Sequence, residues 1–391
     1  MTKKKIALAI NYDYYDYGGM LQAFATQKAL TKLCVESEAI DFANLKGDIN
    51  IRKWQYFLKN ILDFSIVKEK DRLIAKKIRR KFSTDLRNKL EIRDMAFYRF
   101  CEKGFTTTKK FASWEDLSSA CREYDAVIVG SDQLWLPSNV AGDYYTLNFV
   151  PDDVRKIAYA TSFGIEYVPK NMKEQYCHFL NRFDFLSARE TSGQEIIKAC
   201  IGKDVQLVCD PTLLLEKEDW DKIAKDKWII DDDYVFCYFM GDNPEQRSFA
   251  KRLALKKKCK IVALLHLDQY IGSDEGYVDY APYDISPADF VNLVKHAKYI
   301  CTDSFHGTVF SILFSKDFFT FKRFNKKVSL STNTRLISLL SKFNLMGRLF
   351  SGQETIDGDM TINNYDQVQE ILKNFRYQSM EYLRTSIGLV E

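Results

Sequence analysis

The densest chemistry in the sequence surrounds His306, in Thr302-Asp-Ser-Phe-His-Gly-Thr308. An imidazole is the side chain best suited to give or take a proton near neutrality. A short β-branched run, 299–302, precedes this cluster and an apolar run, 308–314, follows it. Read as strand, turn and helix, that order puts His306 at the carboxyl end of a strand, beside free N–H groups that attract anions. Gly307 allows a tight turn and close approach of a ligand. Ser304, Gly307 and Thr308 are then candidate contacts for the anion. A helix-capping histidine is the plainer role, but the ordered polar cluster favours proton transfer. Of the other histidines, 178 and 296 fall in helix-like stretches, and His266 ends a strand and is the secondary candidate.

Three further clusters follow apolar runs. Asn11-Tyr-Asp-Tyr-Tyr-Asp-Tyr-Gly18-Gly19 leads into a helix-like stretch over 20–33. It is neither a dinucleotide fingerprint nor a Walker loop. Its acids and aromatics suit a sugar, with Asn11, Asp13, Asp16, Gly18 and Gly19 as candidates. Gly130-Ser-Asp132-Gln133-Leu-Trp135 offers hydrogen-bonding partners in Asp132 and Gln133, and an apolar platform for a sugar face in Trp135. The alternative makes Asp132 a helix cap and Trp135 a core residue. Arg189 has the planar fork that binds carboxylate or phosphate, unless it is a structural partner of Glu190. Lys322, Arg323, Lys326, Lys327 and Arg335 add cations close in sequence to His306.

Elements must hold these residues in place. Apolar runs at 5–11, 126–130, 156–161, 184–188 and 206–210, then at 234–240, 260–266, 299–302 and 317–321, alternate with helix-like stretches or turns. This predicts parallel sheets covered by helices. The charged stretch 216–233 separates the two series and predicts an α/β chain of two Rossmann-like domains, 1–215 and 216–391. The final helix, 366–384, crosses back. With 391 residues, 46% apolar and 28% charged, the chain suits two globular domains. Nine scattered cysteines, with no pair at CxxC spacing and no His–Cys cluster, predict reduced thiols, no metal site and a cytoplasmic protein. Net charge is +4, yet residues 46–110 hold 19 Lys/Arg against 8 Asp/Glu, a local +11. That segment predicts a basic helical insertion in the first domain, with Trp54, Phe57, Leu58, Ile61 and Leu62 on one stripe. It suits a solvated insert or peripheral contact at the inner membrane face. No nucleic-acid-reading motif accompanies the charge, so no nucleic-acid partner is expected.

Taken together, Gly-Gly-Met-Leu-Gln (18–22), Gly-Ser-Asp-Gln-Leu-Trp (130–135), Ser-Phe-Gly (162–164), Ser-Ala-Arg-Glu (187–190), Asp-Pro-Thr-Leu-Leu (210–214), Ser-Pro-x-x-Phe (286–290) and Thr-Asp-Ser-Phe-His-Gly-Thr (302–308) resemble the polysaccharide pyruvyl transferase family, in its order. The resemblance implies a GT-B-like pair of domains facing a cleft. It implies phosphoenolpyruvate as co-substrate, with no other cofactor, and a saccharide acceptor, in exopolysaccharide, capsule or cell-wall assembly. It makes His306 the essential histidine and Arg189 a donor-binding residue. A cation some twenty residues after the histidine matches Lys327 or Lys326, with Lys322 and Arg323 as rivals. Some relatives carry Arg two residues before the histidine; this chain has Ser304, which supplies no charge. A lipid-linked acceptor would suit the basic insertion. The competing expectations are a nucleotide-sugar glycosyltransferase of similar architecture and a non-catalytic saccharide-binding protein.

Overall fold

A computed structural model describes residues 3–60, 83–224, 230–267, 269–323, 333–356 and 360–389. The chain divides into two compact units. One comprises residues 1–66, 103–215 and 373–391; the other comprises 67–102 and 216–372.

The first unit is built on seven strands: β1 (Lys5–Ala9), β2 (Glu36–Asp41), β3 (Thr107–Lys110), β4 (Ala126–Val129), β5 (Arg155–Thr161), β6 (Phe185–Ala188) and β7 (Gln206–Leu207). Their order is β3-β2-β1-β4-β5-β6-β7, with every described pairing parallel. A parallel strand must be recrossed by a helix, so both faces of the sheet are covered and central strands read as unbroken apolar runs. Ile6–Ala9 and all of β4 are accordingly buried. Chain order reverses between β1 and β4. Loops leaving the carboxyl ends of two such strands splay apart and open a crevice.

The second unit has β8 (Tyr234–Tyr238), β9 (Lys260–Ala263), β10 (Tyr299–Thr302), β11 (Asp317–Phe321) and β12 (Leu349–Phe350), ordered β12-β11-β10-β8-β9 and again parallel. Val235, Cys237, Phe249, Leu253, Cys301, Phe319 and Phe321 lie in its core. Here the order reverses between β8 and β10. Three candidate clusters therefore leave their sheets beside a reversal, 11–19 and 130–135 in the first unit and 302–308 in the second, whereas Arg189 follows β6.

The helices that matter below are α1 (Tyr17–Lys32), α2 (Lys46–Lys59), α3 (Thr84–Gly104), α4 (Pro137–Gly142), α5 (Thr191–Ile201), α6 (Pro244–Lys257), α7 (Pro287–His296), α8 (Phe305–Leu313), α9 (Asn333–Lys342) and α10 (Tyr365–Ser386). The α/β class with two parallel sheets is as the sequence predicts.

Candidate functional site

In the second unit, His306 occupies the first turn of α8 and is buried. Ser304 caps the helix: its Oγ accepts from Gly307 N–H at 3.3 Å. Thr302 Oγ1 accepts from Ser304 N–H at 3.0 Å and donates to the Tyr238 carbonyl at 2.6 Å, tying the turn to β8. Asp303 reaches the other way. Its carboxylate accepts from Met240 and Gly241 N–H at 2.6 and 2.9 Å, so one side chain shapes the loop leaving β8. A Cβ on Gly307 would lie 2.5 Å from Thr302 Oγ1, so only glycine lets α8 sit this close to its own strand. The outcome is an imidazole fixed at a helix N-terminus, where the macrodipole favours negative charge.

Cations accompany it. Arg323 Nη2 lies 3.5 Å from the Asp303 carbonyl, and Arg335, buried on α9, holds its guanidinium carbon 5.7 Å from the centre of the Phe305 ring. Lys322 is exposed, and its carbonyl accepts from Gln246 Nε2. Lys326 and Lys327 lie outside the described residues. Thr308 is corrected as an anion contact: its fully buried hydroxyl donates to the Ser304 carbonyl at 3.0 Å and pairs with Thr320 Oγ1 at 2.9 Å.

In the first unit the two loops at the β1–β4 reversal converge. A Cβ on Gly19 would lie 3.2 Å from Asp16 Oδ1, 3.4 Å from Asn11 Nδ2 and 3.7 Å from Asp132 Oδ2. Asn11, Asp16 and Gly19, from one loop, thus share one small space with Asp132, which is distant in sequence. Asp16 also caps α1, accepting from Gly19 N–H at 2.7 Å, and Gly18 is buried in that first turn. Asp13 forms an ion pair with Lys46 on α2. Asp132 has φ +83°, a left-handed conformation that costs an L-residue about 1 kcal/mol or more. Its carbonyl holds that bend by accepting from Leu134 and Ser162 N–H at 2.7 and 2.9 Å.

Arg189 follows β6, and its side chain is 1% exposed. Nη1 donates to Asp210 at 2.7 Å and to Ser131 Oγ at 3.2 Å, Nη2 lies 3.4 Å from Asp132, and Nε lies 3.6 Å from Glu190. Burial opposes its charge, but Asp210, Asp132 and Glu190 outweigh burial and raise its pKa above the ordinary value. Arg189 is thus held among Asp210, Asp132 and Glu190, a place from which it orients Asp132.

Trp135 is corrected too. It is fully buried against Phe163, Phe179 and Phe183, and its indole N–H donates to the Tyr145 carbonyl at 3.0 Å. No sugar can stack on it. Gln133 is partly exposed, with its amide nitrogen buried and, among the described residues, without a hydrogen-bond partner.

Reading by residue type missed Asp210, whose carboxylate also accepts from Ser131 Oγ and from Thr212 N–H and Oγ1. Its signal was the Asp-Pro-Thr run just past β7. It also passed over a partly exposed triad in the second unit. His266 Nδ1 lies 2.7 Å from Asp274, whose other oxygen accepts from Arg247 at 2.7 and 3.1 Å. His266 at a strand end was the available hint.

The family's sequence model for polysaccharide pyruvyl transferases matches residues 16–323, spanning both the Asp132 and the His306 clusters. The chain belongs to the polysaccharide pyruvyl transferase family. No curated protein matches this family member. Among solved structures it is similar to UDP-GlcNAc 2-epimerase of Methanocaldococcus jannaschii in complex with UDP-GlcNAc and UDP, at 10% identity and a TM-score of 0.45, over 96% of this chain and 100% of that one. A UDP co-structure of MnaA from S. aureus gives 12%, 0.47, and coverage of 97% and 91%. MurG from Acinetobacter baumannii gives 10%, 0.44, and coverage of 99% and 100%.

Proposed function

We propose that this pyruvyl transferase family member transfers the pyruvyl group of phosphoenolpyruvate to a saccharide as a cyclic ketal, releasing phosphate. Supporting this reading above all is the buried His306 at the N-terminus of α8, in the unit that also holds Arg323 and Arg335. A proton donor beside a cationic, helix-N-terminal setting is what an enol phosphate requires.

The steps balance without an added redox or metal reagent. His306 protonates the methylene carbon of the donor, which makes C2 electrophilic. One sugar hydroxyl attacks C2 and loses its proton, the bond from C2 to the phosphate oxygen breaks, and a second hydroxyl closes the ketal. Of the two hydroxyl protons, one replaces that given to carbon and one leaves with phosphate. Within the first unit, Asp132, held by Arg189, and Asn11 and Asp16 are the acceptor contacts we assign. Helix N–H groups, Arg323 and Arg335 carry the donor's charge.

Incubation with phosphoenolpyruvate and a panel of diol-bearing saccharides, followed by phosphate release and mass spectrometry, tests the reaction. His306→Ala is expected to abolish release; release at the wild-type rate would remove His306 from the chemistry. Thermal stabilisation by UDP- or GDP-sugars, but not by phosphoenolpyruvate, would favour a glycosyltransferase instead.

A further inference from the structure

Helix α2 carries an apolar stripe that the fold does not bury. Ile51, Trp54 and Leu58 are 58, 55 and 60% exposed. At about 100° per residue these positions fall within about 60° of arc, so they form one edge rather than scattered exceptions. The opposite side is anchored: Ile49 is buried, Arg52 donates to Asp143 at 3.1 Å, and Lys53 donates to Asn139 on α4 at 2.7 Å. Its orientation is thus set by the unit itself, which leaves the apolar edge outward. Single exposed apolar residues are ordinary on protein surfaces, but a helical row of three including Trp is not.

Charge says what meets this edge. On the helix Lys46 and Arg52 are met by Asp13 and Asp143 while Lys59 stands exposed, and the sequence segment that contains the helix has a net charge of +11. A protein partner buried there would have to match that excess with acids, whereas an anionic lipid surface supplies both the charge and the apolar layer. Trp also prefers the boundary between headgroup and acyl chain. Among the described residues no helix is long and apolar enough to cross a membrane, so contact through α2 would be interfacial. We propose that α2 lies in the plane of an anionic membrane surface with Ile51, Trp54 and Leu58 inserted. This holds the protein where lipid-borne acceptors reside, and it stands whether or not the pyruvyl reaction does.

The test is co-sedimentation of the full chain with vesicles of equal phosphatidylglycerol and phosphatidylcholine, and with phosphatidylcholine alone. Wild type is expected in the pellet with the anionic vesicles only. The double substitution Trp54→Glu and Leu58→Glu is expected to weaken binding about ten-fold or more, since it removes two inserted apolar groups. Leu255→Glu, at an exposed leucine on α6, is the control expected to bind as wild type. An unchanged melting temperature excludes misfolding, and Trp54→Phe should keep most of the binding. Wild type that stays in the supernatant, or a double variant that binds as well as wild type, overturns the proposal. So does a wild-type oligomer that the double variant splits, because the face would then be covered by a second copy.

Discussion

At the scale of single residues, Arg189 shows how partners decide a role. An arginine just past a strand is a natural anion receptor by type, yet here it is enclosed by Asp210, Asp132 and Glu190. Breaking a buried ion pair from one side strands the other charges. Arg189→Ala should therefore cost about 3–5 kcal/mol. Arg189→Lys should recover only part of that, because one ammonium cannot reach Asp210, Ser131 and Asp132 together. Urea midpoints check both. A near-wild-type midpoint with a raised KM for phosphoenolpyruvate would return Arg189 to donor binding. Trp135 teaches the same lesson: its type suggested a sugar platform, while the ring contacts and the Tyr145 carbonyl that make it core come from distant segments. His306 was legible because its role rests on local order, strand then cap then helix. The convergence of Asn11 and Asp132 on Gly19 was not, since sequence spacing carries no distance between loops.

At the scale of elements, the two reversal points do the positioning, and carboxylates hold their loops. Asp303 ties the loop after β8 on one side, at Met240 and Gly241. On the other side Arg247, clamped by Asp274, donates to the Asn243 carbonyl at 3.2 Å, and Ser273 Oγ donates to the Asp242 carbonyl. Burial raises the Asp274 pKa, but the bonds from His266 and Arg247 prevail and hold it below the ordinary value. A depressed carboxyl pKa contributes stability that is complete above the unfolded value of about 4 and is lost as pH falls through the folded value. Asp274→Asn is thus expected to be less stable at neutral pH and to lose less than wild type on acidification below about pH 4. Denaturation midpoints across that range measure this, and parallel curves for the two proteins would contradict it. The strands flanking these reversals were visible as apolar runs because parallel central strands are buried on both faces. β2, β3 and β12 were not predicted. Glu36-Ser-Glu-Ala-Ile-Asp41 mixes acids with apolar residues, Thr107-Thr-Lys-Lys110 is a polar edge strand, and β12 has two residues.

At the scale of the whole molecule, the units are not simple halves of the sequence: residues 373–391 cluster with the first unit. Periodicity revealed the final helix, but only tertiary contacts show what its last turns hold. They lie along the β5–β7 side of the sheet, where β7 is a two-residue edge strand that contributes little pairing of its own. Arg376 donates to the Leu213 carbonyl at 2.6 Å and to that of Leu215 at 3.3 Å. Ser379 Oγ accepts from Cys209 N–H at 2.8 Å, and Tyr382 donates to the Ala158 carbonyl at 3.1 Å. The segment they secure includes Asp210, the strongest partner of Arg189. An order of fixation follows: α10 holds 209–215, Asp210 holds Arg189, and Arg189 holds Asp132. Ser379→Ala leaves the buried Cys209 amide without its acceptor, at about 1–3 kcal/mol. If opening is local, hydrogen exchange over 206–215 should accelerate about ten-fold or more, while the core strand β4 stays protected. Arg376→Ala should have the same regional effect by freeing two carbonyls. Exchange that rises equally in β4 and 206–215 would mean that α10 supports the unit as a whole rather than the Asp210 segment, and the chain of fixation from α10 to Asp132 would fail.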